Sequence, residues 1–213
     1  MTRKWLAPTL LIAGLIFTWI VFNDLPAEVP IRWSFQGEPV QFRPKWPWAF
    51  VGPAVGLGVW VLLLGLRAVD PRRGHYEKFD ETYWLLLNVM GVFFFLITIL
   101  TQLWALGLGV AMPRLILGSI GVLFMAMGNY LPRLKSNWWI GIRTPWTLDS
   151  ERVWRETHRV AGRAFVIGGL AAVIGSVLPA PLQTVVSVGG LVLAATVPVV
   201  YSYLAYRREK TTG

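Results

Sequence analysis

The chain has 213 residues, of which 55% are hydrophobic and only 15% are charged. A soluble domain carries about 25% charged residues, so this composition favours a membrane protein. The abundance of Trp, Phe and Leu excludes a disordered chain, and the absence of cysteine excludes a disulfide framework and a thiolate metal site. With only two histidines, a zinc site built from several of them is not expected either.

Six apolar segments approach or reach the roughly 20 residues that a transmembrane helix needs. They are residues 5–22, 46–66, 83–106, 115–131, 164–178 and 182–206, and none contains Asp, Glu, Lys or Arg. The first is longer than the apolar part of a signal peptide and no small-x-small cleavage site follows it, so we expect it to be retained. The pattern predicts one membrane domain over residues 1–213, an all-α polytopic fold with six transmembrane helices.

The 20 Lys and Arg residues are divided unevenly between the two sides that six spans define. Sixteen lie at the termini and in the loops after the second and fourth spans, and four lie in the loops of the other side. The positive-inside rule then predicts that both termini are cytoplasmic. Basic residues at helix ends also account for the net charge of +9, so we do not expect direct nucleic-acid binding.

The first loop of the less basic side, residues 23–45, has the alternation of a β-strand. Its apolar positions are Val29, Ile31, Trp33 and Phe35, and the polar turn that follows is Gln36-Gly37-Glu38-Pro39. We predict a short strand-like loop or hairpin on the outer surface. Such a loop either caps the helix bundle or receives an extended peptide along its apolar edge.

The largest loop of the basic side, residues 132–163, contains a predicted amphipathic helix. Pro132 ends the fourth span, and Thr147 fits the N-cap of a helix that begins at Leu148 and continues into the fifth span. Most charged residues of this helix lie away from one stripe, which is typical of a helix on a membrane surface. Helical spacing gives that stripe four members: Trp154, His158, Ala161 and Phe165.

His158 is the residue of this loop best suited to chemistry, because imidazole serves as a proton shuttle, metal ligand or pH sensor. Catalysis also needs a convergent partner, and no acid lies at helical spacing on the same stripe, since Glu156 points elsewhere. We therefore favour a packed histidine that is hydrogen-bonded to a loop carbonyl. We predict no catalytic residue, metal or cofactor.

Three motifs in and before this loop carry a resemblance to a known family. They are GNYLPRLK at residues 128–135, WIGIRTPWTL at 139–148 and WRETHR at 154–159. Residues 128–170 resemble the SdpI family, bacterial membrane proteins that give immunity to a sporulation-delaying toxin, and residues 25–39 resemble the N-terminal domain of unknown function common in that family. The signature positions are Asn129, Pro132, Lys135, Gly141, Arg143, Thr144, Pro145, Trp146, Trp154, Thr157, His158 and Gly162.

The resemblance implies a multi-pass protein of the bacterial inner membrane with two activities. One is protection from a secreted antimicrobial peptide that collapses the membrane potential. The other is signalling, in which the toxin-bound protein sequesters a small cytoplasmic repressor. The loop from Pro132 to Gly162 then faces the repressor, and the outer loop faces the toxin through Pro30, Trp33, Phe35, Gly37 and Glu38.

Two other classes of function compete with this one. If the protein were an enzyme, His158 would be its base, and this base has no acidic partner on the same stripe. A transporter or channel usually carries ionisable residues in its spans, whereas the polar residues of these spans are neutral and more typical of hydrogen bonds between helices. They are Asn88, Thr98, Thr101, Gln102, Ser119 and Asn129.

Overall fold

The computed structural model describes residues 4–34, 38–109 and 111–212. In chain order its elements are α1 (Leu6–Val21), β1 (Glu28–Trp33), β2 (Pro39–Pro44), α2 (Lys45–Trp48), α3 (Val51–Val69), α4 (Asp80–Ala105), α5 (Met112–Tyr130), α6 (Pro145–Asp149), α7 (Glu151–Ser176) and α8 (Leu182–Thr212). A 3-10 helix, Arg73–Phe79, precedes α4, and another, Leu131–Arg133, follows α5. The described chain is therefore helical, with one two-stranded sheet, as the sequence predicts.

Five helices, α3, α4, α5, α7 and α8, are long and apolar enough to cross a membrane. The first helix, α1, is also apolar but has only 16 residues. At 1.5 Å per residue it is about 24 Å long, which is shorter than a hydrocarbon core of roughly 30 Å. These lengths and compositions are those of a multi-pass membrane protein.

Together with α1, the five long helices form two groups of three that meet through α4 and α5. The first group is α1, α3 and α4, and the second is α5, α7 and α8, with α7 packed against both of its neighbours. Glycine permits this packing, because a Cβ on Gly169 would lie 2.5 Å from the Gly121 carbonyl oxygen of α5. On the other face of α7, a Cβ on Gly168 would overlap the Gly190 carbonyl oxygen of α8. Membrane helices approach this closely only where side chains are small.

Neutral polar side chains join the helices of the first group. The side-chain oxygen of Asn88 accepts a hydrogen bond from the Ala7 backbone N–H at 3.1 Å. The Gln102 amide donates to Thr18 Oγ1 at 3.2 Å and to the Ala49 carbonyl at 2.9 Å. The other polar residues of the predicted spans donate to carbonyls of their own helices: Thr98, Thr101, Ser119 and Asn129.

The segment between α1 and α3 forms a hairpin. The strands β1 and β2 pair antiparallel, with Pro30 opposite Phe42. Val29 is buried beneath the sheet, and the Trp33 ring packs edge-on against Trp104 near the end of α4, with 6.2 Å between the ring centroids. The hairpin thus covers one end of the first helix group, and its strand pairing confirms that this loop forms a hairpin.

Candidate functional site

The segment between α5 and α7, residues 131–150, is here called the signature loop, and a buried carboxylate holds it to the end of α3. Asp70 is 2% exposed. Its Oδ2 accepts hydrogen bonds from the Tyr76 hydroxyl at 2.9 Å and from the Trp138 backbone N–H at 3.0 Å. Its Oδ1 accepts from the Arg72 backbone N–H at 2.7 Å. Asp70 therefore joins the signature loop to the first helix group.

Asn137 shapes the signature loop from inside, and its side chain is fully buried. The Asn137 side-chain oxygen accepts from the backbone N–H groups of Trp139 at 2.9 Å and Ile140 at 2.7 Å. Its amide nitrogen donates to the Lys135 and Ile140 carbonyls, both at 3.0 Å. The side chain thus replaces the backbone partners of a turn, which is the usual role of Asn in loops.

Two basic residues of the α3–α4 connection also hold the signature loop. The Arg72 guanidinium donates to the Leu148 carbonyl at 2.8 Å and to the Ser136 hydroxyl. The His75 ring lies 2.7 Å from the Ser136 carbonyl through Nδ1, and because a carbonyl only accepts, that nitrogen carries the proton. Sequence reasoning missed Asp70, Arg72 and His75. Each of the bonds from these residues to the signature loop spans 61 residues or more of the chain.

His158 is completely buried and both of its ring nitrogens are engaged with backbone groups. Nδ1 lies 2.8 Å from the Trp154 carbonyl and therefore donates to it, while Nε2 accepts from the Ile142 backbone N–H at 3.1 Å. The ring also stacks on Trp154, with 4.1 Å between the centroids and 20° between the planes. The imidazole is neutral and fastens the signature loop to α7. It is packed as the sequence favours, but its carbonyl partner is Trp154 of the same helix rather than a loop carbonyl, and the loop supplies an N–H instead.

Gly141 provides the space that His158 occupies. Its φ is +112°, in the left-handed region, and an added Cβ would overlap His158 Nε2. We expect Gly141→Ala to lower the free energy of unfolding by about 2–5 kcal/mol, because backbone strain and overpacking add. The check is the unfolding temperature of the purified protein in detergent, followed by tryptophan fluorescence.

Gly107→Ala is the matched control for Gly141→Ala. Gly107 also has a positive φ, +81°, but a Cβ there meets nothing within 4 Å. That variant carries the backbone strain alone, about 1–2 kcal/mol. Equal losses of stability in both variants would contradict the proposed contact between residue 141 and His158.

The structure corrects the predicted start of the helix after the signature loop. Thr147 is not an N-cap but the third residue of α6, and Thr144 is the cap, accepting from the Thr147 N–H at 3.3 Å. Pro145 explains the shift, since proline favours the first helical position. The extended backbone of Ser150 then ends α6, and its hydroxyl caps α7 by accepting from the Val153 N–H at 3.2 Å.

The predicted stripe of α7 is buried, but it packs against protein rather than lying on a membrane surface. The Trp154 indole donates to the Leu134 carbonyl at 2.9 Å, and the signature loop covers this face of the helix. All four stripe residues are buried: Trp154, His158, Ala161 and Phe165. The exposed face is basic: Arg152, Arg155, Arg159 and Arg163.

The remaining signature positions divide into a packed set and an exposed set. Thr157 is fully buried, and Gly162 is buried where a Cβ would meet Pro132 at 2.8 Å. The Trp146 ring packs on Tyr203 of α8, with centroids 5.1 Å apart. The exposed set has five members: Asn129, Pro132, Lys135, Arg143 and Pro145.

Three of the five candidate toxin-facing residues lie in the described hairpin. Pro30 is buried, Trp33 is half-buried and Glu38 is exposed, whereas Phe35 and Gly37 lie outside the described residues. Trp33 lines a cavity of about 290 Å³ between the hairpin, α3 and α4. The hairpin therefore covers this cavity. Pro30 lines the cavity and does not belong to an outward-facing surface.

The apolar outer face of the hairpin belongs to β2, which sequence reasoning did not select. Val40 is 57% exposed and Phe42 is 44% exposed. The signal was present in the sequence, since Val40 and Phe42 alternate with Gln41 and Arg43 as in a strand with one polar face.

Within the described residues, no three His, Asp or Glu side chains gather as a metal site needs.

Comparisons with known proteins match both the region of the signature loop and the region of the hairpin. Residues 133–202 match the SdpI/YfhL protein family, and residues 9–57 match a domain of unknown function, DUF1648. The Immunity protein SdpI of Bacillus subtilis (strain 168) is 26% identical over 189 residues, which cover 89% of this chain and 88% of that protein. No solved structure matches. The first match contains most of the signature loop and all of α7, and the second contains the hairpin. The chain is therefore similar to the SdpI/YfhL family over residues 133–202 and to DUF1648 over residues 9–57.

Proposed function

We propose that this protein is an immunity and signal-transduction protein of the bacterial cytoplasmic membrane. It protects the cell from a secreted antimicrobial peptide and sequesters a small cytoplasmic repressor. The immunity role is supported by a relative of nearly equal length that is named an immunity protein. In this proposal the protein acts by binding, since the ring nitrogens of His158 are both bonded to backbone.

We propose that α1 crosses the membrane along with the five long helices, and that both termini are cytoplasmic. The Ser150 hydroxyl bonds Glu209 near the C-terminus at 3.0 Å, so the signature loop and the C-terminus share one end of the bundle. The Lys4 ammonium lies 5.0 Å from the centre of the Trp84 ring at the start of α4, which is the same end. Because most basic residues belong to these segments, the positive-inside rule makes this end cytoplasmic and the hairpin external.

The exposed strand β2 is the observation that carries the proposed toxin site. The sheet has two strands, so the outer edge of β2 has no strand partner among the described residues. An unpaired edge with exposed apolar side chains binds extended peptides by adding a strand. Val40 and Phe42 supply those side chains, so a membrane-active peptide that reaches the cell surface in extended form is held there before it inserts.

A depolarisation assay tests this site. Cells that lack the gene are complemented with the native chain or with V40D/F42D, and membrane potential is followed after addition of spent medium from stationary cultures of the same organism. We expect the native chain to prevent depolarisation and V40D/F42D to leave the cells as sensitive as the deletion strain, because two carboxylates oppose an apolar contact.

The matched control is Leu108→Asp, which places a carboxylate on another exposed apolar residue, 56% exposed, in the connection between α4 and α5. That variant should protect as the native chain does, at equal protein abundance in the membrane. Full protection by V40D/F42D would show that the toxin does not use β2. Equal depolarisation of native and deletion strains would contradict immunity to a peptide made by this organism.

A further inference from the structure

A basic cavity lies beneath the signature loop, apart from the proposed toxin site. It has a volume of about 140 Å³ and is formed where the Arg73–Phe79 helix, the signature loop and the start of α7 meet. The residues that line it include His75, Lys78, Lys135, Glu151, Trp154 and Arg155. Two segments that are distant in sequence, residues 75–78 and 135–155, therefore supply one concave site.

The charge of this cavity favours an anion. Lys78, Lys135 and Arg155 contribute three positive charges, and Glu151 contributes one negative charge. Glu151 is already 3.7 Å from Arg155, so it neutralises that guanidinium in part. Within the described chain, neither Lys78 nor Lys135 lies within 4.0 Å of a carboxylate oxygen. Two ammonium groups thus face the cavity without an ion-pair partner among the residues that the structure describes.

The walls of the cavity are held in place by buried contacts. Trp154 is 1% exposed and is fixed by the bond from its indole to the Leu134 carbonyl. His75 is fixed through Nδ1 to the Ser136 carbonyl, so its neutral ring forms part of the wall and supplies no donor to an anion. An anion that enters therefore meets walls that are fixed in place, and the flexible lysine side chains supply the donors.

We propose that this cavity binds a phosphate group, either the headgroup phosphate of an anionic phospholipid or free inorganic phosphate. Basic pockets at the cytoplasmic ends of membrane helices are suited to lipid headgroups, and the lipid surface there is anionic. Lysine is a common point-charge ligand of phosphate. The cavity holds roughly four or five waters at about 30 Å³ each, which suits one phosphate group better than a folded segment of a protein.

Binding to the purified full-length protein in detergent tests the proposal, with dioleoyl-phosphatidylglycerol and sodium phosphate as separate probes at constant ionic strength. The double variant K78Q/K135Q should bind the preferred probe about thirtyfold more weakly than the native chain, since each basic residue near an anionic surface contributes about fivefold. Preference for phosphatidylglycerol assigns the site to a lipid, and preference for sodium phosphate assigns it to the free anion.

The control R159Q/R163Q removes the same charge from exposed positions of α7 that do not line the cavity. It should bind within about threefold of the native chain. Equal losses in the two double variants, or no binding of either probe by the native chain at 1 mM, would overturn the proposal. Tighter binding of polyglutamate than of both probes would also overturn it, in favour of an acidic protein partner.

Folding of the variants is checked by their unfolding temperatures. Lys78 and Lys135 are exposed, so K78Q/K135Q should unfold as the native chain does. If it unfolds at a lower temperature, the single variant Lys135→Gln replaces it, with an expected loss of about fivefold. Unchanged binding by a stable Lys135→Gln would count against the site as well.

Discussion

Replacing Gly169 with leucine should destabilise the protein by about 3 kcal/mol or more, the upper range for overpacking. A Cβ at this position would lie 2.5 Å from the Gly121 carbonyl oxygen and 2.8 Å from the Met125 backbone nitrogen, both on α5. These are backbone atoms, so no side-chain rotation relieves the overlap and the two helices must separate. The expected result is a much lower unfolding temperature in detergent, or loss of folded protein from the membrane.

Gly189→Leu is the control for the Gly169 prediction. Gly189 is also a helical glycine of the second group, in α8, but a Cβ there meets nothing within 4 Å. We expect this variant to unfold close to the native temperature. Gly121→Leu, which approaches Gly169 from the other side, should repeat the loss. Native stability in both Gly169→Leu and Gly121→Leu would mean that α5 and α7 do not cross at this point.

Removing the Asp70 carboxylate should cost about 2–5 kcal/mol of stability. Asp70→Ala leaves the Trp138 backbone N–H without its acceptor and the Tyr76 hydroxyl with only a 3.4 Å contact to Asn137. A buried polar group without a partner costs about 1–3 kcal/mol. The measurement is again thermal unfolding, with proteolysis of the signature loop as a second, local readout.

Asp149→Ala is the control for Asp70→Ala, because Asp149 is an exposed acid on α6. We expect its unfolding temperature to stay near that of the native chain. Asp70→Asn keeps the shape and one acceptor oxygen, so it should lie between native and Asp70→Ala. A signature loop that resists proteolysis equally in Asp70→Ala and in the native chain would show that other contacts hold it.

Local sequence rules predicted the apolar helices and the hairpin, but they misplaced the cap after the signature loop and missed the break at Ser150. The hairpin follows from alternation between residues 29 and 35, and the buried stripe of α7 follows from the spacing of Trp154 and His158. The cap was assigned to Thr147, whereas the structure uses Thr144, because Thr144 and Thr147 are both good caps and Pro145 selects the earlier one. A pattern read alone does not distinguish two competing caps three residues apart.

The contacts that hold the candidate site were not predictable from sequence. The bond from Trp138 to Asp70 spans 68 residues, and that from Arg72 to Leu148 spans 76. Asp70 and Arg72 look like ordinary solvated residues at a helix end, and only tertiary packing buries the Asp70 carboxylate. The exposed face of β2 was missed for a different reason. Its alternating pattern spans only four residues and is bounded by Pro39 and Pro44.

The sequence by itself determined the membrane class, the apolar helices, the hairpin and the resemblance to a known family, because hydropathy, alternation and motif spacing are local properties of the chain. Only the tertiary structure decided that the stripe of α7 packs on the signature loop, that glycines bring α5, α7 and α8 together, and that distant basic residues share one cavity. These depend on which helices become neighbours. Helices become neighbours where their backbones can approach closely and where segments far apart in the chain can form hydrogen bonds.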